Sequence, residues 1–350
     1  HLTSTKLNGS GMHTMIRSAV FAGWAPERPN KPVFAMLATD TSQEEEALTK
    51  VGVKFGVVTP ATPDEMVSAL SGVDAVFNYW GFFDRELISR LDDLKLIVYP
   101  GSGYDRIDVQ AASEKGIAVA SLPFNNVEEV ANHTMAMLLA LNRKLFESVA
   151  HIRRGEWDPA ALLPIGQTLG ILGFGWRARE VAKRAQAFNM NVIAYDPYVA
   201  KDIGIFARVP LVGLNEILER SDYIACLVPL NEETKHFIGA EQFARMKPSA
   251  MFVNMSRGRV VDETALLAAL DSGKLSAAAL DVLEVEPPDL SNPLINHPKV
   301  IVTPHSGGQS DAYPARRRRQ AIESMVLAAQ GIRPPGLINP EVWRIGKPGR

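Results

Sequence analysis

The chain reads as short apolar runs separated by amphipathic stretches. After a segment with no clear period (residues 16–31), Pro32-Val-Phe-Ala-Met-Leu37 is the first run that reads as a strand. Residues 53–58, 73–77, 94–99 and 117–120 read as strands in the same way. Between them, residues 43–48, 65–70, 84–91 and 108–115 read as helices. Strands alternating with helices at this spacing predict a parallel sheet with both faces covered. A complete α/β domain is therefore expected within the first third of the chain.

Ser121-Leu-Pro-Phe-Asn-Asn126 breaks the alternation and reads as a hinge. A long helix is expected over 127–142, with Val130, Met135, Leu138 and Leu139 apolar. A second α/β region follows. A strand over 169–172 leads to a helix with Val181, Ala182, Ala185 and Phe188 on one face, and the next strand ends on Asp196. Later strands are expected over 223–227, 250–254, 277–281 and 300–303. A last helix, 316–330, ends at Gly331, and the Pro-rich tail is expected to return to the first domain. The expected division is 12–122 with 309–350 for one domain and 123–308 for the other. His1 to Gly11 is polar and reads as a cloning remnant, with Met12 or Met15 as the expected natural start.

Composition narrows the function more than the fold. A length of 350 residues, 46% of them apolar, suits two soluble domains with substantial cores. A net charge of −2 gives no global field toward nucleic acid or an acidic membrane. The single cysteine, Cys226, lies in an apolar run and reads as core, so no intramolecular disulfide can form. No apolar run reaches the roughly 18 residues of a membrane span, and no signal peptide is recognisable. A cytoplasmic protein is expected, with no nucleic-acid or membrane partner and no metal. Arg316-Arg-Arg-Arg319 is the one basic run and reads as a solvated face or a subunit contact.

The stretch from Gly170 to Asp196 carries the clearest chemistry. A strand runs into Gly173-Phe-Gly175-Trp-Arg-Ala178, where two glycines allow a tight turn and close approach to a diphosphate. Ala178 is the small residue needed where helix packs on strand. The helix N-terminus can hold an anion. Asp196, about twenty residues on, stands where an acid binds the ribose hydroxyls of NAD. Three later strand ends are polar: Asn254-Met-Ser256-Arg257-Gly258, Asp281 with Glu286-Pro287, and Thr303-Pro-His305-Ser-Gly307-Gly308. Ligands bind outside the carboxyl ends of parallel strands, so Arg257, Glu286 and His305 can converge there. A guanidinium grips a carboxylate with two hydrogen bonds. An imidazole exchanges a proton near neutral pH, and a carboxylate fixes its tautomer. With a hydride carrier, that set suits interconversion of 2-hydroxy and 2-oxo acids.

On these motifs the chain resembles the D-isomer-specific 2-hydroxyacid dehydrogenases, from about Gly101 to Trp343. The family's signatures appear in order: the fingerprint ending in Tyr195-Asp196-Pro197, the Asn-x-Ser-Arg-Gly segment, and the Asp281, Glu286-Pro287, Pro304-His305 series. The resemblance implies a Rossmann-type NAD-binding domain plus a flavodoxin-like α/β substrate domain that is discontinuous in sequence. It implies an active site between the domains, their closure excluding water, and a homodimer. Arg257 would bind the substrate carboxylate, and His305 would be the acid/base with Glu286 as its partner. Ser102 and Gly103 would add backbone donors, and Trp80, within Asn78-Tyr-Trp-Gly-Phe82, would face the substrate with Tyr104. Gly173, Gly175, Trp176, Arg177, Asp196, Val228, Pro229, Thr234, Met255, Ser256, Asp281, His305 and Gly307 would line NAD, with Asp281 at the carboxamide.

The chain departs from the family in three places. Trp176-Arg177 stands where a basic and then an aliphatic residue are usual. Asn132 replaces the usual Glu, and with His133 it reads as structural or hinge-lining. The tryptophan that follows the histidine in the C-terminal-binding-protein corepressors is missing, although Gly101-Ser-Gly-Tyr-Asp105 and Val127-Glu-Glu-Val130 resemble that branch. Two alternatives stay open beside a general dehydrogenase. One is an NAD-sensing scaffold like the corepressors; the other is a narrower phosphoglycerate or glyoxylate/hydroxypyruvate enzyme.

Overall fold

The computed structural model describes residues 16–22, 40–79, 81–157 and 167–343. They fall into two compact units, 1–125 with 314–350 and 126–313. The strand expected over 32–37, and Trp80, lie outside the described residues.

Unit 1 holds β1 (Ser18–Ala22), α1 (Ser42–Thr49), β2 (Lys54–Val58), α2 (Pro63–Leu70), β3 (Ala75–Asn78), α3 (Arg85–Ser89), β4 (Leu96–Val98), α4 (Val109–Glu114) and β5 (Ala118–Ala120). The strands form one parallel sheet in the order β2-β1-β3-β4-β5, the doubly wound order whose switch point lies between β1 and β3. Side chains alternate across the pleat. Phe77, Leu96 and Val98 pack with Leu48 of α1, while Val76 and Ile97 pack with Met66, Leu87 and Ala112 of α2 to α4. Polar caps set the helix starts: Asp84 accepts from the Leu87 amide at 2.9 Å and Asp108 from the Ala111 amide at 2.8 Å. The first strand, Ser18–Ala22, lies in the segment that showed no period in the sequence.

Unit 2 holds α5 (Val127–Asn142), α6 (Leu145–Arg153), β6 (Thr168–Leu172), α7 (Trp176–Ala187), β7 (Asn191–Tyr195), α8 (Lys201–Ala207), α9 (Leu214–Arg220), β8 (Tyr223–Cys226), α10 (Ala240–Arg245), β9 (Met251–Asn254), α11 (Glu263–Asp271), β10 (Ala277–Leu280) and β11 (Val300–Val302). Its parallel sheet runs β11-β10-β9-β8-β6-β7, and Leu211 adds a parallel bridge outside β7. The order reverses between β6 and β8, which makes that the switch point where a ligand lies against the strand ends. Val130 and Leu138 of α5 and Ala178, Val181 and Ala185 of α7 cover one face, and Ile217, Phe243 and Leu266 cover the other. This is the α/β architecture of a Rossmann domain.

Two sequence expectations need correction. Phe188 does not share the buried face of α7: it is the C-cap residue and is exposed, while Ala178 completes that face. The Arg316–Arg319 run is not a solvated face. It lies in α12 (Tyr313–Ala329), where Arg317 is buried with its guanidinium 5.1 Å from the Tyr79 ring centre, and Arg318 bonds the buried Glu44 carboxylate. Only Arg319 is exposed. The tail does return to the first sheet. Leu337 bridges Ala120, and the Asn339 side chain accepts from the Val119 amide at 2.8 Å. Cys226 is buried core, and burial pushes its thiol up to about 11.

Candidate active site

The fingerprint turn is built by close approach. Gly173 has φ +83°, and a Cβ there would stand 3.1 Å from the Leu227 carbonyl and the Val228 amide. The turn thus lies on the Val228-Pro229 segment across the switch point. At Gly175 a Cβ would meet nothing within 4 Å, and the N-cap gives no side-chain hydrogen bond to the first amides of α7. Those amides and the helix dipole favour an anion. Asp196 is tied to the same turn: Oδ2 accepts from the Phe174 amide at 2.8 Å and Oδ1 from the Tyr198 amide at 2.9 Å. An ionised carboxylate can accept about four hydrogen bonds, so capacity remains for ribose hydroxyls. These features fit a dinucleotide.

The other residues expected near a dinucleotide are distributed as follows. Trp176 is exposed, with the Arg179 guanidinium 4.8 Å from its ring centre. Arg177 is turned inward to Asn126. Thr234 closes the turn that follows Pro229, its hydroxyl donating to the Pro229 carbonyl at 2.6 Å.

Arg257 leaves β9 through a turn organised by Asn254. That buried amide donates to the Arg257 carbonyl at 3.1 Å and accepts from the Ser256 amide and hydroxyl at 3.1 and 2.8 Å. Gly258 then lets the turn press on the next one, since a Cβ there would overlap the Leu283–Glu284 backbone. Any side chain at Gly258 would push the Arg257 turn away from the one that carries Glu286. The sequence placed Asn254 at a strand end but not its role, which depends on contacts only the folded turn makes.

The third strand end carries His305, at φ +51°. Asp281 anchors it. Its buried carboxylate accepts from the Thr303 hydroxyl at 2.6 Å and from the Ser306 and Gly307 amides at 2.9 and 2.8 Å. His133 Nε2 joins at 3.1 Å from the Thr303 hydroxyl. A Cβ on Gly307 would also strike Met255, so the β9 and β11 turns are in contact.

His305 Nδ1 lies 2.7 Å from Glu286 Oε2. Burial pushes the Glu286 carboxyl up, but His305, the Leu283 amide and the Arg257 charge outweigh it and hold the group below its ordinary range. Ionised Glu286 can only accept, so Nδ1 carries the proton and Nε2 is the nitrogen left for a ligand. Arg257 reaches this pair by charge. Unit 2 therefore brings Arg257, Glu286, His305, Asp281, Met255, Ser256 and Gly307 together.

Ser102 and Gly103 lie in the loop after β4 of unit 1, both half-buried, with Tyr104. Asn78, at the end of β3, holds the neighbouring loop by exchanging hydrogen bonds with Gly81 at 2.7 and 2.9 Å. Among the described residues no cluster of His, Cys, Asp or Glu could hold a metal ion, and no helix is long and apolar enough to cross a membrane.

Residues 135–307 match the model of the D-isomer specific 2-hydroxyacid dehydrogenase NAD-binding domain. The chain is 42% identical to D-3-phosphoglycerate dehydrogenase of Methanocaldococcus jannaschii, over 79% of its own length and 54% of that protein. It is 40% identical to hydroxypyruvate reductase of Thermotoga maritima, over 74% of its own length and 85% of that protein. A glyoxylate reductase structure from Paecilomyes thermophila superposes with a TM-score of 0.82 at 30% identity, covering 93% of this chain and 99% of that one. The chain spans about half the length of the curated phosphoglycerate dehydrogenases it matches.

Proposed function

The chain belongs to the D-isomer-specific 2-hydroxyacid dehydrogenase family, and we propose that it interconverts a D-2-hydroxy acid and its 2-oxo acid with NAD. Unit 2 is the cofactor domain of this reading and unit 1 the substrate domain. The observation that carries it is the 2.7 Å Glu286–His305 pair within reach of the Arg257 charge. NAD, when bound, would supply or accept the hydride. Gly173, Gly175 and the start of α7 hold the diphosphate. The Arg257 fork binds the substrate carboxylate. In reduction, His305 Nε2 gives a proton to the oxygen of the former 2-oxo group; in oxidation it takes that proton back. Glu286 keeps the ring in the tautomer that leaves Nε2 facing substrate. Reduction of a 2-oxo acid with consumption of NADH, and D configuration in the product, is the test. A panel that yields no turnover would refute the reading.

Asp196 sets coenzyme choice. It accepts hydrogen bonds and repels a 2′-phosphate, so NADH is favoured over NADPH. Asp196→Ala is expected to narrow the NADH:NADPH ratio of kcat/KM by roughly 10–100-fold, the weight of a charged hydrogen bond. A wild-type preference for NADPH would overturn this.

The homodimer also belongs to this reading. Leu145, Phe146, Val149 and Ile152 make an exposed apolar face on α6, with Trp157 90% exposed just beyond it. Such a face on a charged surface suits a second copy of the chain. Val149→Glu is expected to halve the mass measured by light scattering, and an unchanged mass would place the contact elsewhere.

A further inference from the structure

Arg177 has no part in the reaction as described, yet its side chain reaches, through Asn126, the loop that carries His305. It is the second residue of α7, and its side chain turns back to the residue preceding α5, where Nη2 donates to Asn126 Oδ1. Asn126 lies against the loop that carries His305, because a Cβ on Gly308 would run into Asn126 Nδ2. The Arg257 guanidinium acts on Arg177 from the β9 turn, and the Tyr313 phenol also reaches it. Burial, then the Arg257 charge, pull Arg177 down to about 10, against a smaller opposing effect of Tyr313; it remains a cation at neutral pH. Like charges held together in a half-buried setting repel, and an anionic group placed between them relieves that repulsion.

We propose that Arg177 is a second anion-binding residue of this site, and that the substrates are dianionic 2-oxo acids. The 2-carboxylate sits on Arg257, and the distal carboxylate or phosphate sits on Arg177 with help from the Tyr313 hydroxyl. The inference rests on the dehydrogenase reading given above. The other anion close to α7 is the cofactor diphosphate, and the test separates the two.

The experiment compares oxaloacetate with pyruvate, and phosphohydroxypyruvate with hydroxypyruvate, at fixed ionic strength and saturating NADH. It uses wild type, Arg177→Leu and Arg177→Lys, and the KM for NADH is measured alongside. Wild type is expected to favour the dianion of at least one pair. Arg177→Leu should lower the dianion:monoanion ratio of kcat/KM by roughly 10–100-fold, and Arg177→Lys by less. Equal losses for both members of each pair would overturn the proposal. So would a rise in the KM for NADH as the main effect, which would place Arg177 at the diphosphate. If no oxo acid is reduced, the dehydrogenase reading fails. The anion site is then judged by melting of the cofactor-free protein with D-malate against D-lactate. Extra stabilisation by D-malate that Arg177→Leu abolishes upholds the site, and equal shifts overturn it.

Discussion

His305→Gln is expected to lower kcat by roughly 10²–10⁴-fold in both directions, the usual span for one general acid/base. Glutamine can still hydrogen-bond but cannot exchange a proton near neutral pH. The partner variant, Glu286→Gln, tests the pairing more finely because it removes a charge and keeps the shape. The carboxylate 2.7 Å from Nδ1 holds the ring in one orientation and one tautomer. Glu286→Gln is therefore expected to lower kcat by roughly 10–100-fold in both directions while the KM for NADH changes little. A wild-type kcat would separate Glu286 from the mechanism. Stability has its own sign. The Glu286 carboxyl is held below its ordinary range. Its contribution is therefore present above that range and lost as pH falls through the lowered folded value.

Arg257→Lys is expected to cost roughly 10–1,000-fold in kcat/KM for the oxo acid, from the few kcal/mol that a charged bidentate contact carries. Lysine keeps the charge but not the planar fork. The turn itself should survive, because Asn254 holds it through the Arg257 carbonyl and Gly258 supplies the close approach. The KM for NADH should change little. Steady-state kinetics that match wild type would place Arg257 outside the substrate site.

The sequence made the strand ends legible for a physical reason. Strands of a parallel sheet covered on both faces are apolar throughout, so a polar residue at the end of such a run stands out, as Asn254, Asp281, Thr303 and Asp196 do. The same rule explains the strand that was missed. Ser18–Ala22 is a short run with a polar first residue, and nothing in its spacing distinguishes it from a loop. Arg317 and Arg318 read as solvated because charge normally seeks water. Their burial depends on Tyr79 and Glu44, residues more than two hundred positions earlier. The anchoring of the His305 turn by Asp281 was not legible, because its donors lie 22 to 26 residues on. Arg177 was visible as a departure, but its direction is set by Asn126, 51 residues away in the chain. Pattern reveals which positions are polar at a strand end. It does not reveal which of them meet, because that is fixed by turns pressed together at positions such as Gly258 and Gly307.

The most direct measurement is NADH consumption by the purified protein across a panel of 2-oxo acids, with chiral analysis of each product. Sustained turnover of at least one acid, D configuration in its product and near-complete loss of that turnover in His305→Gln are the predicted results. NADH binding without turnover of any acid would contradict the account and favour a sensing scaffold. An L product would contradict it as well.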